Sequence, residues 1–358
     1  MRCFVNTSMS LDQVSSPGAV EVTAFHHNLP GYAPTPLRRL DPVAAELGLG
    51  AVRLKDESDR LGLPAFKMLG ASWAVAEALR RQADPNVPAV IVAASAGNHG
   101  RAVARCAAQR RIPCRIYLPS VASRESVAAI ERDGAHIVSI DGQYDEAVAA
   151  AEADAARTGA HLIADVARTP HALSGEWVID GYATLFREID DQLPSGADVL
   201  LVPTGVGSLA AAAVRWAAHS GGRCRVIAVE PVTAAGVTAS LRAGRRVRVP
   251  TPGTDMAGLD CAEPSLLAWP SLRDGLFGTV VVTDDEVHAA MRELASDGLA
   301  IGACGAAPLA ALRLLAAGAD ECAELRDALR LDGSTVVCLA TEGVTDPDRY
   351  RAVVSPPG

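Results

Sequence analysis

Lysine is almost missing from this chain. Of the 33 basic residues among 358, only Lys55 and Lys67 are lysine and the rest are arginine. Arginine serves surface charge equally well but cannot lose its proton near neutral pH, so it cannot become an amine nucleophile. A lysine kept in such a composition is a candidate for amine chemistry, Schiff-base formation above all. The other reading of "PAFKMLGAS" (64–72) is a leftover surface residue on a helix, and the stretch alone leaves both open. Aromatic residues are scarce, at 4%, so the core has to be packed with Ala, Val, Leu and Ile. Excess positive charge is absent too: net charge is −9 with scattered basic residues, which argues against nucleic acid as the main partner. Backbone amides can still bind an anionic cofactor locally.

The eight cysteines (Cys3, Cys106, Cys114, Cys224, Cys261, Cys304, Cys322, Cys338) include no CxxC and no metal-like pairing with histidine. They read as reduced core residues, with a disulfide or one reactive thiol left open. The N-terminal "MRCFVNTSMSLDQV" lacks the apolar core of a signal peptide. Gly298 to Leu312, the longest apolar run, is too short for a membrane span and contains Pro308. The expectation is a soluble cytoplasmic protein with a small-molecule partner and no membrane.

What is present is an α/β pattern. Hydrophobic residues make up 49% of the chain, enough for two packed lobes or one large domain with an insertion. Residues 1–40 read as irregular, ending in "PGYAPTPLRRL". Beyond them short β-branched runs alternate with Ala-rich helical stretches. The expected strands are 88–95, 114–119, 135–140, 198–204, 224–230, 278–283 and 334–341. Helices are expected over Lys67–Arg81, His99–Gln109, Ser123–Asp133 and Tyr144–Thr158, among others. This alternation predicts parallel sheets covered by helices on both faces. Such sheets bind ligands beyond the carboxyl ends of their strands. Three loops fall there: "AASAGNHG" (93–100), "PTGVGSLAA" (203–211) and "LATEGVTDP" (339–347).

"LLVPTGVGSLAAA" passes from strand to helix through a glycine turn, where amides and the helix dipole can receive a phosphate. Gly205, Gly207 and Ala210 also fit GxGxxA, and Glu230 ends the next strand where a ribose-binding acid belongs. Dinucleotide binding, as in an NAD-dependent dehydrogenase, monophosphate binding and a plain packing turn all remain open on this loop. "SAGNHG" presents Ser95, backbone amides and Asn98 to one spot, suited to a carboxylate or a ring hydroxyl. Plain helix capping by Ser95 or Asn98 is the alternative. His99 reads as a structural or hydrogen-bonding residue rather than a metal ligand, and no metal is expected.

Lys67, the Asn loop and the glycine loop, in this order, resemble the fold-type II pyridoxal-phosphate enzymes, a group that includes cysteine synthase, threonine dehydratase and tryptophan synthase β. Within it the chain is most similar to the diaminopropionate ammonia-lyase subfamily. The resemblance is carried by "KDESDRLGLPAFKMLGAS" (55–72), "GNHGRAVA" (97–104), "PTGVGSLAAA" (203–212), "AGLDCAEPS" (257–265) and "TEGVTDP" (341–347). It implies a two-lobed architecture, with 1–71 and 169–358 as the larger cofactor-binding domain and 72–168 as the smaller α/β domain. It also implies a homodimer.

By the same resemblance Lys67 would hold pyridoxal 5'-phosphate and act as base at the substrate Cα, with its pKa lowered by its surroundings. Gly205, Val206, Gly207 and Ser208 would cradle the phosphate, and Asn98 would bond the ring hydroxyl. Thr341 would meet the pyridine nitrogen as a neutral partner. Ser95, Ala96, Gly97 and His99 would line the substrate-carboxylate site. The implied reaction is α,β-elimination of a 3-substituted alanine, 2,3-diaminopropionate first, to a 2-oxo acid and ammonia. β-Replacement or a serine/threonine dehydratase are the alternatives on this fold. One position departs from the subfamily: the Asn loop usually carries an aspartate, a second base, where this chain has Ala96. A second acid of the subfamily has its counterpart in Asp165 of "LIADVART", which also reads as a capping or turn aspartate.

Overall fold

The computed structural model describes residues 2–14, 19–84, 86–166, 173–318 and 320–355. Its strands are β1 (Cys3–Val5), β2 (Leu37–Arg39), β3 (Ala51–Asp56), β4 (Ile91–Ala94), β5 (Cys114–Pro119), β6 (His136–Ile140), β7 (His161–Leu162), β8 (Val199–Pro203), β9 (Arg225–Pro231), β10 (Gly278–Val282) and β11 (Thr335–Ala340). Seven of them form one sheet in the order β1-β10-β9-β8-β11-β3-β2, and four form another in the order β6-β5-β4-β7. The smaller sheet and the five inner strands of the larger one are parallel. Helices cover both faces of the parallel strands, which explains why "VLLVP" and "GTVVV" are buried along their whole length.

Each expected strand and helix is found, with ends shifted by a few residues at most. The first forty residues are not irregular throughout. Cys3–Val5 and Leu37–Arg39 pair antiparallel on the two edges of the larger sheet, and Ala19–His27 is a helix. Three-residue strands carry no readable period; they form because β10 and β3 offer open edges. The disulfide that the cysteine pattern left open is found at one pair. With β1 docked on β10, Cys3 lies beside the segment before the helix Ala323–Leu329, and Cys3 and Cys322 form a disulfide. The other six cysteines are free, all but Cys261 buried. The helix Lys67–Arg80 runs across the expected domain boundary at 71/72, and the boundary at 168/169 lies outside the described residues. No single helix among the described residues is long and apolar enough to cross a membrane.

Candidate active site

Lys67 stands at the first position of the helix Lys67–Arg80, reached from the carboxyl end of β3 through residues 57–66. That connection is pinned by buried charges. Arg60 donates to both oxygens of Glu57 and both of Glu188, at 2.6–2.8 Å. The other lysine, Lys55, is fully buried and donates to Glu188, the Thr35 carbonyl and Gln192. Two cations and two anions thus close a neutral cluster, and removing any one member would leave a buried charge unpaired. Lys55 therefore holds the path to Lys67, and its amine is committed.

The Lys67 amine donates to Asp165 Oδ2 at 3.0 Å, and the two side chains are 20% and 15% exposed. Asp165 follows β7, the short strand beside β4 in the smaller sheet, so a residue from each sheet meets here. Burial by itself would lower the amine, and a cation at a helix N-terminus is disfavoured as well. The negative charge beside it wins, and Lys67 is held above the ordinary lysine range. Tyr182 is a neutral phenol at neutral pH, its own value pushed up to about 12 by burial, so the charge acting on Lys67 is that of Asp165. The expected lowering of the amine does not occur in this arrangement. Asp165 responds in kind: burial would raise it, but His99 and Lys67 pull it down to about 2. It is neither a helix cap nor a bare turn residue.

Ala94 ends β4, and Gly97 caps the helix Asn98–Gln109 without a side-chain bond. Neither Ser95 nor Asn98 acts as the helix cap. The Ser95 hydroxyl accepts from the Gly97 N–H at 3.3 Å, and Ala96 lies partly exposed between them. Asn98 Nδ2 donates to Glu342 Oε2 at 2.8 Å. His99 Nε2 donates to the Ile163 carbonyl at 3.0 Å, which leaves Nδ1 facing Asp165 Oδ2 at 3.9 Å. Burial holds this imidazole below its usual value.

The glycine turn after β8 opens the helix Ser208–His219. Gly207 has φ +91°, the left-handed region that favours glycine, and a Cβ there would lie 2.4 Å from Leu272 Cδ1 and push that side chain aside. No side chain caps this helix, which leaves its first amides to an incoming anion. The Val206 carbonyl accepts from the Ser265 N–H at 2.8 Å, and Ser208 Oγ donates to the Asp165 carbonyl at 2.9 Å. That last bond fastens the turn directly to the Lys67–Asp165 pair. Thr341, 4% exposed at the end of β11, accepts through its carbonyl from the Phe66 N–H at 3.2 Å. Cofactor-holding and substrate-side candidates from both sheets thus converge on one place.

Two residues of the site escaped the sequence reading. Glu342, next to Thr341, is buried against Asn98 and Cys304; burial raises its carboxyl and those hydrogen bonds restrain it. The Tyr182 ring packs against Phe66 with centroids 4.8 Å apart. Its hydroxyl is buried without a hydrogen-bond partner, as is His99 Nδ1. Glu342 stands in "TEGVTDP" and Tyr182 in the stretch 181–185, but nothing in a lone glutamate or tyrosine announces a buried partnership. Orphaned buried polar atoms beside an amine mark a place built for a polar ligand. Among the described residues no cluster of His, Cys, Asp and Glu is arranged to hold a metal ion.

Glu230 is a correction. It is fully buried and accepts from the Val237 and Thr238 N–H groups at 2.7 and 2.8 Å and from the Thr238 hydroxyl at 2.6 Å. It satisfies the N-terminal turn of the helix Gly236–Ala243 and is not free to bind a ribose. Glu230→Ala should therefore cost about 3 kcal/mol of stability by stranding those donors, read by denaturant unfolding. NAD should show no heat of binding to the wild type. Measurable NAD affinity that Glu230→Ala alters would restore the dehydrogenase reading.

A family model described as pyridoxal-phosphate dependent enzyme matches residues 29–342. The diaminopropionate ammonia-lyase of Salmonella typhimurium is 33% identical, over 97% of this chain and 94% of its own. The crystal structure of Escherichia coli diaminopropionate ammonia lyase with an aminoacrylate-PLP azomethine intermediate superposes with a TM-score of 0.89 at 30% identity, covering 99% of this chain and 96% of that one. The same Escherichia coli enzyme in complex with D-serine gives 0.87, also at 30% identity and with the same coverage. A glycine turn at a helix end, a buried amine and a fold shared along nearly the whole chain lead to one assignment: this chain belongs to the pyridoxal-phosphate-dependent enzymes of fold type II, and its cofactor is pyridoxal 5'-phosphate.

Proposed function

We propose that this enzyme is a lyase that removes the β-substituent of a 3-substituted alanine by α,β-elimination, with 2,3-diaminopropionate as substrate and a 2-oxo acid and ammonia as products. The observation that carries this reading is the Lys67 amine held 3.0 Å from Asp165, with the unpartnered His99 Nδ1 and Tyr182 hydroxyl around it. These residues fit the cofactor. When bound, pyridoxal phosphate supplies a carbonyl for amines and a ring that takes up the electron pair left at Cα. Lys67 would hold the cofactor carbon and, once freed from it as a neutral amine, would receive the Cα proton. Gly205, Val206, Gly207 and Ser208 would hold the phosphate, Asn98 the ring hydroxyl, and Thr341 would meet the pyridine nitrogen. Ser95, Gly97 and the His99 backbone N–H, beside Ala96, would bind the substrate carboxylate.

Asp165 bears on the leaving group. Asp165, whose carboxyl His99 and Lys67 hold down in this arrangement, would as a carboxylate pair with a β-ammonium and keep it protonated until the C–N bond breaks. Neutral ammonia then departs with the bonding pair, while the pair from the Cα–H bond closes the double bond. A hydroxyl leaving group would need a proton donor instead, which an ionised aspartate is not. Of the amino, hydroxy, chloro, O-acetyl and O-phospho alanines, the L-amino compound should release 2-oxo acid fastest, by at least about tenfold over L-serine. Faster release from L-serine would favour a dehydratase, and substrate loss only with an added nucleophile would favour β-replacement. The division of the chain into 1–71 with 169–358 and 72–168, a homodimer and a cytoplasmic location belong to the same proposal, and a role in amino-acid metabolism follows from the substrate.

A further inference from the structure

Glu342 sits where three parts of the site meet, and none of the roles above uses it. Its backbone lies on the Lys67 side, forming an isolated antiparallel bridge with Ala65. Its carboxylate, only 9% exposed, reaches two other elements. Oε1 accepts from the Cys304 N–H at 3.3 Å, in the first turn of the helix Ala303–Ala316. Oε2 accepts from Asn98 Nδ2 at 2.8 Å, at the start of the helix that follows β4 in the smaller sheet.

With both oxygens acting as acceptors, the chemistry fixes which end of the Asn98 amide faces them. A primary amide carries two N–H donors on one end and a carbonyl on the other, whereas a carboxylate only accepts. Asn98 must turn its NH2 group to Glu342, because the flipped amide would set a carbonyl oxygen against a carboxylate. One N–H is then spent on Glu342, and the second remains for another acceptor. We propose that Glu342 is a positioning residue that locks the Asn98 amide in the orientation offering its remaining N–H to the ring hydroxyl oxygen of pyridoxal phosphate. This rests on the reading of Asn98 given above.

Glu342→Gln separates this role from simple support of the helix Ala303–Ala316. Glutamine has the same size but one acceptor where glutamate has two. If its oxygen stays with Cys304, its NH2 meets Asn98, whose amide must rotate and present the carbonyl. The test is titration of apo protein with pyridoxal phosphate and with 3-deoxypyridoxal phosphate, which lacks the ring hydroxyl, alongside thermal unfolding of each variant. Glu342→Gln should weaken pyridoxal phosphate about tenfold, the scale of one well-placed hydrogen bond, and the deoxy compound by less than about twofold. In an Asn98→Ala background it should change neither. Should Glu342→Gln fold poorly, Glu342→Asp keeps the charge but retracts from Asn98, and the same ligand-selective loss is expected. Equal losses for both ligands, or an undiminished effect in the Asn98→Ala background, overturn the inference. If Asn98→Ala alone fails to distinguish the two ligands, the reading of Asn98 falls and takes this inference with it. That outcome is recognised without any Glu342 variant.

Discussion

Lys67→Ala, purified and incubated with pyridoxal phosphate, should carry no cofactor that borohydride can fix, and its 2-oxo acid release should fall at least about 10³-fold. The size of the loss follows from one side chain holding two roles, attachment of the cofactor and receipt of the Cα proton. Nothing else in the chain can take over the attachment. Lys55 is fully buried and bound to three acceptors, one of them, Glu188, in the ion cluster. Lys67→Arg should fail equally, since a guanidinium keeps the charge without offering a titratable amine. In the wild type, reduction should leave one modified peptide, spanning residues 64–72. Turnover of Lys67→Ala near the wild-type rate would remove the central assignment.

The second large effect is stereochemical. Lys67 and Asp165 form one contact pair, 3.0 Å apart, and Ala96, standing where the resemblance implies a second acid, has a methyl that can accept no proton. A single base reaches Cα from one face. L-2,3-Diaminopropionate should therefore be turned over at least about 10²-fold faster than its D-isomer, the lower scale of general-base catalysis. Ala96→Asp should raise D-isomer turnover, provided the partly exposed loop keeps the new carboxylate hydrated. Asp165→Asn should lower kcat on the L-isomer about 10²-fold with a smaller change in KM. It also releases Lys67 from the charge that holds its proton, so the amine should titrate at lower pH than in the wild type. Similar wild-type rates on the two enantiomers would sink the single-base account.

Much of this fold was readable because parallel strands are buried on both faces and so appear as continuous β-branched runs. Cys114–Pro119 and the helix Tyr144–Thr158 fall where the sequence puts them. Ala51–Asp56 escaped because "AVRLKD" carries three charged residues, and only the fold reveals that the Lys55 charge is neutralised inside. The short edge strands escaped for a different reason, since their pairing is decided by the strand beside them. At the site, Lys67 stood out through the scarcity of lysine, and Gly207 through its place in a strand-to-helix turn. Glu342 could not stand out, because its meaning lies in Asn98, 244 positions away. Tyr182 is the same kind of case: a buried hydroxyl becomes informative only once it is seen to lack a partner.

The burial of Lys55 reaches beyond the fold. With Lys67 recessed in the site and Lys55 fully enclosed, the folded exterior carries no lysine, and its permanently charged basic side chains are all arginine. Reagents and enzymes that work through side-chain amines therefore find no handle outside the cleft. Glutaraldehyde cannot cross-link neighbouring copies through lysine, an amine-coupled surface can capture the molecule only by its α-amino group, and acetyl or ubiquitin transfer to lysine requires unfolding or entry into the cleft.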